Sequence, residues 1–207
     1  MGAGGCRMSM NGDRLQQRMH VLANIGTLFA VEGGGIVRPA YGRAYAEAIA
    51  LAVGWMREIG LEVGVENVGI LMGRLEGTNP SLPAIALGSH LDMVPNGAAL
   101  DGALGVLAVL EALASPAERG DRLEHPRIVL GFWDEEGNNF GIGALSAQWW
   151  IGEIAGARRV TILDAYGMRL EEYLERFEVP GVPRLERPDA CAYLEVHVAQ
   201  GPVLDRD

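Results

Sequence analysis

The apolar positions of this chain alternate between helical and extended spacing. From residue 13 to about residue 31 they recur every three or four residues, with Leu15, Met19, Leu22, Ile25 and Phe29 on one stripe, and Gly33-Gly34-Gly35 then interrupts the pattern. Residues 41–59 repeat it through Tyr45, Ile49, Ala52, Val53 and Met56, and Gly60 suits the end of that helix. Short extended runs follow at 61–65, 68–75 and 84–87, then a loop containing Pro95, Asn96 and Gly97. Asp101 precedes a helix through Leu104, Leu107, Val109, Leu110 and Leu113. Residues 127–133 form a continuous apolar run of the kind that buried sheet strands show. Residues 143–154 and 168–177 read as helices, and 190–198 as a last strand. Strands alternating with helices predict an α/β fold with a mostly parallel sheet and helices on both faces. Residues 1–12, rich in Gly and Met, are expected to be disordered, which leaves 13–207 as one domain.

Composition narrows the function classes. Acidic residues outnumber basic ones by 27 to 17, for a net charge of −10, and no basic stripe is present, which argues against nucleic-acid binding. Cys6 and Cys191 lie far apart and form no CxxC motif, so a disulfide framework is not indicated and a reducing compartment fits. The start of the chain lacks the apolar core of a secretory signal, and Cys6 stands where a myristoylation pattern wants Ser or Thr. No run approaches the roughly 18 apolar residues of a membrane span. The expectation is a cytoplasmic protein that acts on a small molecule, with neither nucleic acid nor membrane as partner.

Three segments concentrate metal-ligating residue types. The first, GSHLDMVPNGAALDG at 88–102, follows an apolar strand, so His90 falls at a carboxyl end, where open α/β sheets place their sites. Asp92 stands two residues on, placed to contact the same ion or to orient the histidine, whose second ring nitrogen commonly donates to a carboxylate. Asp101 opens the next helix, where a carboxylate gains from the helix dipole and can bridge two cations. The second segment, DEEGNNFG at 134–141, also follows a strand. Its adjacent glutamates point different ways, so one can bind a cation while the other serves as general base on a water. The third, LEVHVAQGPVLD at 194–205, places His197 inside a strand that Gln200-Gly201-Pro202 ends.

Taken singly, each of these has a plainer reading. His90 and His197 would be structural histidines, Asp101 a helix N-cap, and Glu135-Glu136 a solvated acidic pair. Together, at strand ends flanked by glycine-rich turns that admit close backbone approach, they point to a metal site. Oxygen and imidazole donors without thiolate suit zinc, manganese, cobalt and nickel alike.

The same residues carry a family resemblance. GSHLDMVPNGAALDGALGVLAVLEAL at 88–113, WDEEGNNFG at 133–141 and YLEVHVAQGPVLD at 193–205, together with WMREIGL at 55–61 and GRLEG at 73–77, resemble the N-carbamoyl-amino-acid hydrolase and allantoate amidohydrolase family of the dinuclear metallopeptidase clan, from about residue 14 to 205. The resemblance implies a zinc-peptidase-like catalytic domain holding two divalent metal ions. It makes His90 and His197 ligands of one ion, Asp101 the bridging carboxylate and Glu136 a ligand of the second ion. It makes Glu135 the general base, Asp92 the partner of His90, and Gln200 and Asn96 substrate contacts. The implied activity is hydrolysis of linear amide or ureido C–N bonds, as in N-carbamoyl-L-amino acids or allantoate. An aminoacylase or dipeptidase of the same clan is the alternative within that chemistry.

Three departures stand against the family pattern. Ala199 occupies the place of a glutamate, and the Leu-Gly-Ser step after Gly141 is replaced by Ala144-Leu145-Ser146-Ala147. Family members are also about twice as long, as two domains of usual size would be. An inserted lid and dimerisation domain and a last histidine ligand are expected beyond this stretch, and a homodimer is expected of the full-length family. An inactive fragment with a partial metal site is therefore a further alternative, and an exposed sheet edge that promotes aggregation is expected.

Overall fold

The computed structural model describes residues 10–28, 35–118, 120, 123–154 and 156–199. The first helix, α1 (Gly12–Ala23), is capped by Asn11, whose side chain accepts from the Arg14 N–H. It ends eight residues before the expected boundary near 31. The Asn24 N–H turns back onto the Val21 and Leu22 carbonyls, and Gly26 takes a left-handed conformation hard against the Val37 carbonyl. A helical continuation would have no room there, and the chain enters β1 (Thr27–Leu28) instead. Phe29 and residues 1–9 lie outside the described residues.

The strand β2 (Gly35–Arg38) follows, then α2 (Arg43–Glu58), which buries Tyr45, Ala48, Ile49, Ala52, Val53 and Met56 at the expected spacing. Gly60, at φ +80, closes α2: its N–H bonds the Arg57 carbonyl and the Leu61 N–H bonds the Met56 carbonyl. The strands β3 (Glu62–Val65), β4 (Leu71–Leu75) and β5 (Ala84–His90) come next. The expected loop around Pro95 is instead β6 (Met93–Gly97), which pairs with β2 in a small three-stranded sheet. The pairing partner β2 begins on the last glycine of the triplet and carries no pattern of its own, which is why that strand pair escapes a sequence reading. The helix α3 (Ala103–Glu118), β7 (Arg127–Phe132), α4 (Leu145–Trp150), a 3-10 turn (Gly156–Thr161), α5 (Leu170–Arg176) and β8 (Ala190–Leu194) complete the described chain.

The main sheet has the order β3-β4-β7-β5-β8. The pairs β7–β5 and β5–β8 are parallel, and β4 runs antiparallel to both its neighbours, so four of the five strands share one direction. Helices α2 and α3 cover one face: Gly73 of β4 lies against Met56, and Gly105 brings α3 onto Ser89. The opposite face, which carries Ala86 and Phe132, meets α4 across a cavity lined also by Ala147, Trp150 and Ile151. Strand β8 stands at the edge, with all five residues exposed. Among the described residues no helix is long and apolar enough to cross a membrane.

Helix α3 is apolar nearly all round, because it is enclosed between the sheet and α1. Its one buried charge, Glu111, ties the two helices together. Glu111 accepts from the Arg14 Nε at 2.6 Å and Nη2 at 2.8 Å, from the Asn11 N–H at 2.9 Å and from the Ser115 hydroxyl at 3.1 Å. Burial alone would raise its pKa; the hydrogen bonds from Arg14, Asn11 and Ser115 outweigh it and hold the carboxyl below its ordinary 4.5. A depressed folded-state pKa stabilises the fold above the unfolded value, and the contribution disappears as pH falls through the folded value. Glu111→Gln is therefore expected to cost about 2 kcal/mol at neutral pH. In thermal melts its gap to the wild type should narrow below pH 4.5; a gap constant down to acid pH would contradict this role.

Candidate metal centre

The carboxyl ends of β5, β7 and β8 lie side by side, and the three chemistry-bearing segments leave the sheet there. His90 is the last residue of β5, and its ring is buried. Its Nδ1 lies 3.0 Å from the Asp92 carbonyl and 3.7 Å from Asp92 Oδ1. Carbonyls only accept, so Nδ1 carries the hydrogen and Nε2 is left with a lone pair. His197 is arranged alike: its Nδ1 lies 3.0 Å from the Val198 carbonyl. The two rings stack at 5.6 Å, and their Nε2 atoms face each other at 3.4 Å. Asp101 Oδ1 lies 3.3 Å from His197 Nε2, and Glu135 Oε2 lies 3.7 Å from His90 Nε2.

The strand that carries His197 ends earlier than expected. Regular pairing stops at Leu194, and His197 sits three residues beyond β8 rather than inside it. Glu195 holds this extension, accepting from the Ser89 hydroxyl of β5 at 2.6 Å and from the Tyr193 hydroxyl at 3.0 Å. The plain sequence pattern gives no sign of this Ser89–Glu195 tie. Ala199 is described and exposed, whereas Gln200 lies outside the described residues.

Asp101 precedes α3, separated from it by Gly102. Gly102, at φ +58, passes so close to His90 that an added Cβ would lie 2.5 Å from three atoms of the ring. The glycine therefore both makes the turn and admits the imidazole. The glutamate pair is presented by a turn built on Trp133 and Asp134. Trp133 is fully buried; its indole N–H donates to the Val68 carbonyl at 2.7 Å, and its backbone exchanges hydrogen bonds with the Ser146 hydroxyl. Asp134, at φ 48, accepts from the N–H groups of Asn139 and Phe140. The side chains of Asn138 and Asn139 tie the same turn to the Met93 and Ala40 carbonyls. Glu135, about two-fifths exposed, reaches the solvent side of the cluster.

Electrostatics suit a site that wants a cation. Burial raises Asp92 to about 7 against the N–H groups of Glu135 and Glu136 that lower it. Glu136 is also raised to about 7, by burial first and then by its hydrogen bond with the Asp101 carboxyl. Glu136 Oε1 is buried without a hydrogen-bond partner among the described residues. Two sets, His90 with Asp101 and His197, and His90 with Glu135 and Glu136, each bring three ligand atoms within 4.8 Å of one another. Two lone-pair nitrogens, crowded carboxylates and an orphaned carboxylate oxygen fit a divalent ion and its oxygen–nitrogen donor preferences. Of the residues singled out in the sequence, His90, Asp92, Asp101, Glu135, Glu136 and His197 come together here. Asn96 does not join them: it is exposed, left-handed at φ 66, and lies against Gly35 of β2.

Comparison with known proteins identifies the family. Residues 71–174 match peptidase family M28. The N-carbamoyl-L-amino acid amidohydrolase of Geobacillus stearothermophilus is 36% identical over 200 residues, covering 95% of this chain and 48% of that protein. A ureidoglycolate hydrolase of Oryza sativa subsp. japonica is 29% identical, covering 100% of this chain and 44% of that protein. The crystal structure of a hydantoinase/carbamoylase family amidase from Burkholderia ambifaria superposes with a TM-score of 0.86 at 30% identity, over 96% of this chain and 48% of that one. The chain thus spans about half the length of the relatives it matches. The M28 family implies the use of divalent metal, for which the ligand set here is suited. The chain belongs to peptidase family M28 and is a member of the carbamoylase and allantoate amidohydrolase group that its motifs resemble.

Proposed function

We propose that the protein to which this chain belongs hydrolyses the C–N bond of a linear ureido compound, an N-carbamoyl-L-amino acid first and allantoate second, with two divalent ions of the zinc, manganese, cobalt or nickel type. The observation that carries the reading is the pair of Nε2 lone pairs facing each other 3.4 Å apart beside the Asp101 carboxylate, an arrangement that a cation relieves. The relatives' names support the ureido substrate class. His90, Asp101 and His197 would hold one ion, with Asp101 shared and Glu136 holding the second. Bound there, the ions supply Lewis-acid polarisation of the scissile carbonyl and activation of water. Glu135, beside the cluster and open to solvent, takes the proton of the attacking water and returns it to the leaving nitrogen. Asp92 holds His90 in the tautomer that keeps Nε2 free. Gln200 and Asn96 stand as candidate substrate contacts, and a homodimer in the cytoplasm is the expected assembly. The M28 match favours peptide-bond cleavage as the second reading.

The test measures metal content and ammonia release from N-carbamoyl-L-amino acids, allantoate and a dipeptide, with added manganese or zinc. Turnover of a ureide that a chelator abolishes is the expected result; dipeptide cleavage alone would favour the second reading, and neither would overturn both. Glu135→Gln should lower kcat about 10²–10⁴-fold while metal content stays at the wild-type level. A Gln variant that keeps full activity would remove Glu135 from the role of base. Gly102→Ala, whose methyl overlaps the His90 ring, should weaken metal binding by about tenfold or more, read by calorimetry; unchanged binding would show that the turn yields without disturbing His90.

A further inference from the structure

Behind His90, on the side away from solvent, several polar groups are buried together without obvious purpose. Arg38 ends β2, opposite Met93 in the β2–β6 pairing and so beside Asp92. It is fully buried, as are Tyr45 of α2 and Asp92. The Arg38 guanidinium donates from Nη1 to the Leu22 carbonyl at the end of α1, at 3.2 Å. Its Nε and Nη2 find no partner among the described residues, and neither do the hydroxyls of Tyr41 and Tyr45 or Asp92 Oδ1.

These groups lie within electrostatic reach of one another. Burial lowers Arg38 to about 10, and the Asp92 carboxylate opposes that fall. Burial raises Tyr45, Asp92 raises it further, and Arg38 acts the other way. Four donor groups and a carboxylate oxygen, all buried and too far apart for direct hydrogen bonds, are complementary in chemistry. Leaving each one unmade costs about 1–3 kcal/mol, so a folded protein satisfies such groups with ordered water. A water joining the guanidinium to Asp92 Oδ1 closes the network at little cost.

We propose that Arg38 is a positioning residue of the metal centre, fixing Asp92 through bridging water so that Asp92 in turn fixes the His90 imidazole. The inference rests on the metal-site reading of His90 given above. A guanidinium suits the place because its rigid fork serves the Leu22 carbonyl and the Asp92 side at once. The alternative is that Arg38 only caps α1, in which case its loss lowers stability and nothing else.

Calorimetric titration of the 207-residue chain with zinc alone separates the two, joined to ¹⁵N NMR of the His90 imidazole in the metal-free chain. Arg38→Met is expected to bind zinc about 10–100-fold more weakly and to shift the His90 ring signals. Arg38→Lys, which keeps a buried cation, should recover most of the affinity. Tyr45→Phe removes a single oxygen and should weaken zinc binding a few-fold; it decides the matter if Arg38→Met fails to fold. Lowered melting temperatures with wild-type zinc affinity and unchanged His90 signals in all three would overturn the proposal. If the wild type itself binds no zinc, the metal-site reading falls, and the imidazole signals of the metal-free variants still judge Arg38 by the same criterion.

Discussion

Each of the two histidines at the site has its Nδ1 hydrogen engaged by a main-chain carbonyl, and the chemistry follows from that constraint. With Asp92 and Val198 accepting these hydrogens, both rings present bare Nε2 atoms to the same small volume. Such an arrangement repels itself unless a positive charge intervenes. Carboxylates from two further segments crowd the same volume, and burial together with the neighbouring Asp101 carboxyl pushes Glu136 upward. A cluster of acceptors with few donors makes little sense as a stabilising core feature, since buried acceptors gain only from what they accept. It makes sense as a cation cradle that the fold holds open against its own electrostatic preference.

The sheet holds it open. Because β7, β5 and β8 are parallel neighbours, their carboxyl ends deliver three separate segments to one edge. Parallel neighbours require long crossovers, and α3 is one of them: an apolar helix sealed against the sheet by α1 and anchored by the Arg14–Glu111 clamp. The N-terminal approach to α3 is also where Asp101 and Gly102 stand. The clamp midway along α3 and Asp101 just before its start are therefore linked through one rigid element, and the packing of α1 bears on where Asp101 sits.

Much of this was legible in the sequence, and the physical reason is periodicity. The strands of the main sheet are apolar runs, and the residues that follow 84–87 and 127–133 carry donors for metal at glycine-rich exits, so His90, Asp101, Glu135 and Glu136 stood out. His197 stood out as well, although its place beyond the end of β8 did not, since an extended tail reads like a strand. Asn96 stood out for the segment it sits in, whereas its left-handed conformation and its place against Gly35 in the β2–β6 pairing left no sign in the sequence. Arg38 and Tyr45 left no signal at all. A lone arginine before a proline and a tyrosine on a helical stripe look like surface and core, and only the fold shows that both are buried within electrostatic reach of Asp92.

The glutamate pair shows why such positioning must come from outside the ligand set. Adjacent residues diverge in direction, and that divergence is useful only if the peptide between them does not turn. Asp134 adopts a left-handed conformation that an aspartate tolerates better than most side chains. It is held there by the two N–H groups that close the turn, by the asparagines that tie the turn to β6 and to the start of α2, and by Trp133 locked onto Val68 and Ser146. None of these groups touches the reacting atoms. Each removes one way for Glu135 and Glu136 to exchange places, so the division of labour proposed for the pair would rest on a buried tryptophan and an aspartate that perform neither role.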